Sequence, residues 1–187
     1  MTSETVYKTI YADPPWMEAG GGKIKRGADQ HYSLMKTENI IAMKDFINTL
    51  IDPAGCHLYL WVTNNFLPDG LRVMDAWGFR YITTITWLKE GNPGLGQYYR
   101  GMTEHLLFGR RGNMLPYKII DGKRAQGRTG FCAPRSEHSV KPEAARTMIE
   151  RVSYPPYIEL FARRPVERWD VWGNEILEDE HKKGEES

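Results

Sequence analysis

Four consecutive residues, Asp13-Pro14-Pro15-Trp16, combine a carboxylate, two residues without a backbone donor and a large aromatic ring. Two prolines lock φ at about −65° and remove two N–H groups, so the carbonyls around them can point at a ligand with no donor competing. An aspartate beside such carbonyls can accept hydrogen bonds from an exocyclic NH₂, and the tryptophan after them offers a face for stacking a base. At average residue usage a chance match in a chain of 187 residues has a probability on the order of 10⁻⁴ to 10⁻³. The tetrapeptide is therefore where the chemistry is sought first.

The chemistry such a patch would serve is alkylation of an aromatic amine. The N6 amine of adenine is a poor nucleophile, because its lone pair is delocalised into the ring. Hydrogen bonds from its two N–H groups to the Asp13 carboxylate and the Pro14 carbonyl would draw the nitrogen towards a tetrahedral shape and localise the pair for in-line attack on a methyl sulfonium. No strong general base is required. The competing reading is a strand-ending turn that leaves a tryptophan exposed.

Such a patch needs a rigid frame, and the chain alternates strand and helix patterns in a way that supplies one. Lys8 to Ala12 is a short apolar strand that runs straight into the tetrapeptide. Thr37 to Ile51 places Ile40, Ile41, Ile47, Leu50 and Ile51 on one helical stripe, with Asp52-Pro53 and Gly55 as the stop. His57 to Val62 is a dense strand run, Leu67 to Trp77 a helix ended by Gly78, Phe79 to Leu88 a strand, and Glu90 to Met102 a Gly-rich loop. His105 to Phe108 is a further strand, Lys141 to Val152 a helix with Pro142 at its first position, and Tyr157 to Ala162 the last strand. This order predicts a mostly parallel, doubly wound α/β sheet whose ligand sites lie at the carboxyl ends of strands. Asp13 stands at such an end.

The pieces ADPPW at 12–16, HYSLM at 31–35, LYLWVTN at 58–64, WGF to TWLK across 77–89, EHLLFGRRG at 104–112, HSVKP at 138–142 and IELFAR…WDVWGNE across 158–175 cover most of the chain. In order and spacing they resemble the MT-A-seventy family of S-adenosylmethionine-dependent adenine-N6 methyltransferases. That family holds the catalytic subunit of the eukaryotic messenger-RNA methylase and short bacterial and phage relatives. The resemblance implies a Rossmann-like fold with permuted motif order, the catalytic tetrapeptide early and the cofactor contacts mostly late.

Position by position, the resemblance makes Asp13, Pro14, Pro15 and Trp16 catalytic, with Asp13 also near the methionine ammonium of the cofactor. It assigns Lys141 to the methionine end, and Arg163, Asn174 and Glu175 to the cofactor cradle. Tyr32 and Trp87 match aromatic positions around the target adenine, and Glu104 an acidic residue beside the pocket. These roles suit the residue types: a carboxylate such as Glu175 can bind both ribose hydroxyls, and a cation can pair with the cofactor carboxylate. Two departures stand out. The eukaryotic relatives cover the cofactor adenine with an Asp-Ile pair well upstream of the tetrapeptide, whereas this chain begins twelve residues before Asp13, so another segment is expected there. After Arg163 the eukaryotic Pro-His-Asn is replaced by Arg164-Pro165-Val166.

The formal net charge of +1 hides an uneven distribution. Between Arg100 and Arg135 eight basic residues face only Glu104 and Asp121, a local +6. That stretch, Arg110 and Arg111 included, is expected to contact phosphates rather than read bases. Lys23, within Gly20-Gly21-Gly22-Lys23 and near Lys25 and Arg26, is expected on a substrate lid; the phosphate-loop spacing fails because Ile24 follows the lysine. The last thirteen residues carry six acids against two lysines. Residues 1–176 are thus expected to form the catalytic domain and 177–187 an acidic, solvated tail.

Two cysteines 76 positions apart give neither a disulfide framework nor a zinc knuckle. No apolar run has the length of a membrane span or a signal peptide, so a cytoplasmic protein is expected. His31, His57, His105, His138 and His181 show no metal-ligand spacing, and no metal is expected. Trp61 and Trp77 lie on apolar elements and read as core, while Trp169 and Trp172 are open to packing or function. The expected activity is methyl transfer from S-adenosylmethionine to adenine N6 in nucleic acid, DNA in preference to RNA, by a homodimer or in a pair with a methyltransferase-like subunit. The rival is a catalytically silent nucleic-acid-binding subunit, which has no need of the acceptor geometry of residues 13–16.

Overall fold

β1 (Thr9–Ala12) is buried on both faces and β2 (Cys56–Val62) nearly so, as their unbroken apolar runs require. Their side chains alternate: Ile10, Ala12, Leu58, Leu60 and Val62 belong to one core cluster, Tyr11, Tyr59 and Trp61 to a second. The computed structural model describes residues 5–17, 34–94, 96, 98–135 and 140–173. Between and after these strands come α1 (Thr37–Ala42), α2 (Lys44–Leu50), a 3-10 turn (Asn64–Phe66), α3 (Leu67–Ala76), β3 (Arg80–Glu90) and β4 (Thr103–Arg111). A small β5 (Ile119–Ile120) and β6 (Lys123–Arg124) hairpin, β7 (Gly130–Pro134), α4 (Glu143–Val152), β8 (Tyr157–Leu160) and β9 (Asp170–Trp172) complete the order.

Seven strands form one sheet in the order β7-β3-β4-β2-β1-β8-β9. β4 pairs antiparallel with both β2 and β3 while every other pairing is parallel, so β4 alone runs against the rest. Ile40, Ile47, Val73 and Met74 bring α1, α2 and α3 against one face. Ala145 and Ile149 bring α4 against the other. The sheet is thus the mostly parallel, Rossmann-like α/β architecture expected. Gly70 lets α3 lie close, since a Cβ there would meet Val62 Cγ1 at 2.5 Å and Leu107 Cδ1 at 2.8 Å.

From β1 the chain passes to β2 on one side and returns much later as β8 on the other. The carboxyl ends of β1 and β8 therefore flank a topological switch point, where open α/β sheets bind ligands. Asp13 follows β1 there, and its N–H reaches the Leu160 carbonyl at 3.4 Å.

Four expectations are corrected. The helix expected over 37–51 is two helices, broken at Met43, whose ψ of 0° turns the axis; Ile51 leaves in extended conformation to bridge Tyr7. Pro142 precedes α4 rather than opening it, because its ψ of 140° is extended. β8 ends at Leu160, since Phe161 has φ 62° and cannot continue a ladder. The strand expected at Tyr157 is also not the last, because β9 pairs with it at the sheet edge.

Candidate active site

The two prolines after β1 direct the backbone away from the sheet, and hydrogen bonds then fix it. Met35 N–H donates to the Pro15 carbonyl at 2.7 Å and Met17 N–H to the Met35 carbonyl at 3.0 Å. The Trp16 ring stacks on Phe66, centroids 5.2 Å apart, and its Nε1 donates to the Trp61 carbonyl at 2.9 Å. Trp16 is thus a fixed wall with one face against Phe66. The Pro14 carbonyl is not without a competing donor, as the prolines alone suggested, because the Trp16 N–H reaches it at 2.9 Å. A carbonyl carries two lone pairs, so it keeps capacity for a second donor.

Asp13 lies on the α4 side of the sheet, like Tyr11 two residues earlier, and meets residues from three other segments. Lys141 Nζ, just before α4, donates to Asp13 Oδ2 at 2.8 Å and stands 3.3 Å from Glu104 Oε2. Glu104, at the start of β4, also pairs with Lys89 near the end of β3. Two carboxylates and two ammonium groups thus alternate in one chain, all largely shielded from solvent. Burial alone would raise the Glu104 pKa, but Lys141 and Lys89 outweigh it and hold the carboxyl below its ordinary range. Burial alone would lower Lys141, and Asp13 with Glu104 reverse that and lift the ammonium above its ordinary value. Glu104 and Lys141 thus favour each other's charged form. Below them Trp61 faces Lys141 Nζ at 5.4 Å and donates through Nε1 to Tyr11 Oη at 2.7 Å.

A cleft opens beside Asp13, lined by Val140, Lys141, Arg146, Glu159, Phe161, Arg163 and Arg164. Its floor is a buried pair: Arg146 on α4 grips Glu159 on β8 through Nε at 2.9 Å and Nη2 at 2.8 Å, with Glu143 on its Nη1 at 2.8 Å. Burial raises the Glu159 pKa, nearby Asp13 adds to that, and Arg146 opposes both. Phe161 meets Trp172 of β9 edge to face at 5.6 Å.

The fold thus brings together Asp13, Pro14, Pro15, Trp16, Glu104, Lys141 and Arg163 at one end of the sheet. Trp87 lies under this group rather than beside a base: it is 3% exposed, edge-on to Trp61, with Nε1 donating to the Ala133 carbonyl at 2.9 Å. Arg110 and Arg111 do not join it. They pair in register with His57 and Cys56 at the amino end of β2, about 20 Å along the strand from the Asp13 end at ~3.3 Å per residue. Arg111 Nη1 is held there by Asn48 Oδ1 at 2.6 Å and the Trp77 carbonyl at 2.8 Å. Both arginines, expected to contact substrate phosphates, therefore stand apart from the Asp13 group. Tyr32, Lys23, Asn174 and Glu175 lie outside the described residues.

Three residues of the group were missed from sequence. Glu159 carried a signal, a charge inside the fully buried strand Tyr157–Leu160. Arg146 carried a weaker one, interrupting the apolar face of α4, and Lys89 none. Among the described residues no group of three His, Cys, Asp or Glu could hold a metal ion, and no helix is long and apolar enough to cross a membrane.

The chain is similar to known proteins over most of its length. The family model described as MT-A70 matches residues 7–175, which include every site residue named above that follows β1. The type II methyltransferase M.MunI of a Mycoplasma species is 32% identical, over 91% of this chain and 78% of that protein. The N6-methyladenosine RNA methyltransferase MTA1 of Cryphonectria parasitica is 30% identical, over 92% of this chain and 52% of its own length. The human N(6)-adenine-specific methyltransferase METTL4 is 28% identical, over 94% of this chain but 38% of its own.

Proposed function

Because the chain belongs to the MT-A70 family, a family of adenine-N6 methyltransferases, we propose that it transfers the methyl group of S-adenosylmethionine to the N6 amine of adenine in nucleic acid, DNA in preference to RNA. The observation that carries this reading is the pairing of Asp13 with Lys141 at 2.8 Å beside the Pro14 carbonyl, at the mouth of the cleft between β1 and β8. Lys141 holds Oδ2, which leaves Oδ1 as the acceptor for one N–H of the amine. The Pro14 carbonyl takes the other. With both N–H groups held, the nitrogen lone pair is localised along the one remaining direction. After transfer the extra proton on nitrogen leaves along the Asp13 hydrogen bond to water.

The cleft suits the cofactor by its donor set. Asp13 and Glu159 offer acceptors to an ammonium, Arg163 and Arg164 offer cations to a carboxylate, and Phe161 offers an apolar ring. When bound there, S-adenosylmethionine supplies an electrophilic methyl on a sulfonium. Arg146 keeps Glu159 oriented and Lys141 keeps Asp13 oriented. Tyr32 beside the base, and Asn174 with Glu175 on the ribose, complete the proposed contacts. The preference for DNA is supported by the similarity to M.MunI, 32% identical over 91% of this chain, against 30% for the RNA methyltransferase MTA1. We place the protein in the cytoplasm, where Cys56 and Cys132 stay as thiols, working as a homodimer or with a methyltransferase-like subunit.

The test is incubation of the purified protein with labelled cofactor and DNA or RNA oligonucleotides, followed by mass spectrometry of the nucleosides. N6-methyladenine from DNA above RNA is expected. Binding of nucleic acid without any transfer would select the silent-subunit reading instead.

A further inference from the structure

β3 and β4 do not end at the charged group they help build. Lys89 N–H donates to the Met102 carbonyl at 2.8 Å, and between them the described residues 91–94, 96 and 98–101 form a tongue at the Asp13 end of the sheet. Its described residues are tied to one another and to Arg135. Gly94 N–H reaches the Gly101 carbonyl at 2.8 Å; Arg100 binds the Gly94 and Pro93 carbonyls, each at 2.9 Å; and Arg135, just past β7, binds the Gly101 carbonyl at 3.1 Å. Gly96 is required by close approach, as a Cβ there would lie 1.9 Å from the Tyr99 carbonyl. On this built turn Tyr98 and Tyr99 are 93% and 92% exposed. Tyrosine is ordinarily at least half buried, so two neighbouring rings in water on an ordered turn do nothing for the fold.

We propose that Tyr98 and Tyr99 form a stacking platform for unpaired nucleic-acid bases next to the target adenine. The inference rests on the nucleic-acid reading above and extends it, because it makes an unpaired or locally opened stretch the preferred substrate. Three observations select this occupant. The tongue springs from Lys89 and Glu104, members of the Asp13 group, so whatever lies on it is continuous with the site. From Gly91 to Gly101 there is no acidic residue, and the guanidinium groups of Arg100 and Arg135 sit at its base, which complements phosphates. Among the described residues of the tongue the exposed large apolar side chains are these two aromatic rings, a surface suited to the flat face of any base and far smaller than a stable protein interface.

Because the rings are 93% and 92% exposed, their removal is expected to leave the fold intact, and the test uses the whole chain. Fluorescence anisotropy with a single-stranded oligodeoxynucleotide of mixed sequence, calorimetry with S-adenosylmethionine and steady-state methyl transfer are compared for wild type, the Tyr98→Ala/Tyr99→Ala pair and the Tyr98→Phe/Tyr99→Phe pair. The Ala pair is expected to raise Kd and KM for the oligonucleotide by at least about tenfold, with cofactor Kd and kcat within about twofold, while the Phe pair behaves as wild type. An unchanged KM in the Ala pair overturns the platform, as does an equal loss in the Phe pair, which would assign the role to the hydroxyls. A wild-type dimer that becomes a monomer in the Ala pair by sedimentation overturns it in favour of a protein contact. If the wild type itself neither binds nor methylates any nucleic acid, the functional reading fails first and the platform with it.

Discussion

The two ends of the same strands use charge in opposite ways. At the carboxyl end of β2, Asp13, Lys141, Glu104 and Lys89 neutralise one another in a buried chain, so every charge there is held in place by another. At the amino end, Arg111 is bound to a backbone carbonyl and an amide, and Arg110 stands beside His57 with Arg80 opposite it on β3. Lys118 belongs to that end too, capping α4 through the Glu150 carbonyl at 2.6 Å. The basic stretch from Arg100 to Arg135 is therefore no single surface. Arg100 and Arg135 lie at the site end, and Arg110, Arg111 and the β5–β6 hairpin at the other. The preorganised opposite charges around Asp13 mark a site for chemistry, whereas Arg111 and Lys118, tied to the carbonyls of Trp77 and Glu150, brace the fold at the far end.

The largest break in this contrast is expected from Asp13→Asn. The amide keeps size and its place beside Lys141 but loses the charge, and methyl transfer should fall by at least about 10²-fold, as when a positioned electrostatic group is removed. The fold should survive by circular dichroism, with a lowered melting temperature because Lys141 loses its charged partner. Turnover like wild type in this variant would make Asp13 structural.

Next in size is Lys141→Met, which leaves Asp13 and Glu104 buried without their shared cation. Removing one partner of a buried pair costs about 3–5 kcal/mol. The pH dependence gives a sharper reading. Glu104 sits below its ordinary 4.5 in the folded state, so its contribution is present above that value and is lost as pH falls through the folded pKa. Lys141 sits above its ordinary 10.5, so its contribution is complete below that value and is lost only as pH rises beyond it. In Lys141→Met the acid loss should therefore begin at higher pH, because burial then pushes Glu104 up. Urea unfolding between pH 4 and 8 reads this, and an unmoved acid limb would show that Lys141 does not control Glu104.

Much of this contrast could be read before any coordinates, and the rest could not for a physical reason. Residues 13–16 announce themselves because prolines act locally, and β1, β2, α3 and α4 follow from unbroken or periodic apolar patterns. The β5–β6 hairpin was also announced, by Asp121-Gly122, whose φ values of 51° and 71° are those a two-residue hairpin turn demands; counting charges there obscured it. Pairings across the fold have no local signature. Asp13 and Lys141 are 128 residues apart, and nothing in either segment specifies the other. Nor could a charge count tell which end of β4 its arginines occupy, since that depends on β4 alone running antiparallel.

A smaller effect is expected at the far end. Burial, and then Arg110, lower the His57 pKa from 6.5 to about 4. Between those values the unfolded chain takes up a proton that the folded ring refuses, so stability falls as pH drops across that window. Arg110→Gln should raise the His57 pKa, read by NMR titration of its ring, and flatten that loss. Methyl transfer should stay within about twofold, and a tenfold loss would return Arg110 to the substrate face.

The smallest effect is expected from ending the chain after Ile176. Glu175 is kept, because the cofactor cradle is proposed to include it. The segment removed carries five acids and two lysines, so the formal net charge rises from +1 to +4. None of these residues is expected to belong to the catalytic unit, so kcat and cofactor affinity should match the full chain. Nucleic-acid binding should tighten slightly at low salt and converge with the full chain near 0.15 M, where charges more than about 8 Å apart are largely screened. Filter binding at two ionic strengths decides the matter: a gain that survives high salt would mean the tail occupies the substrate face itself, and a fall in kcat would place the boundary of the catalytic unit beyond Ile176.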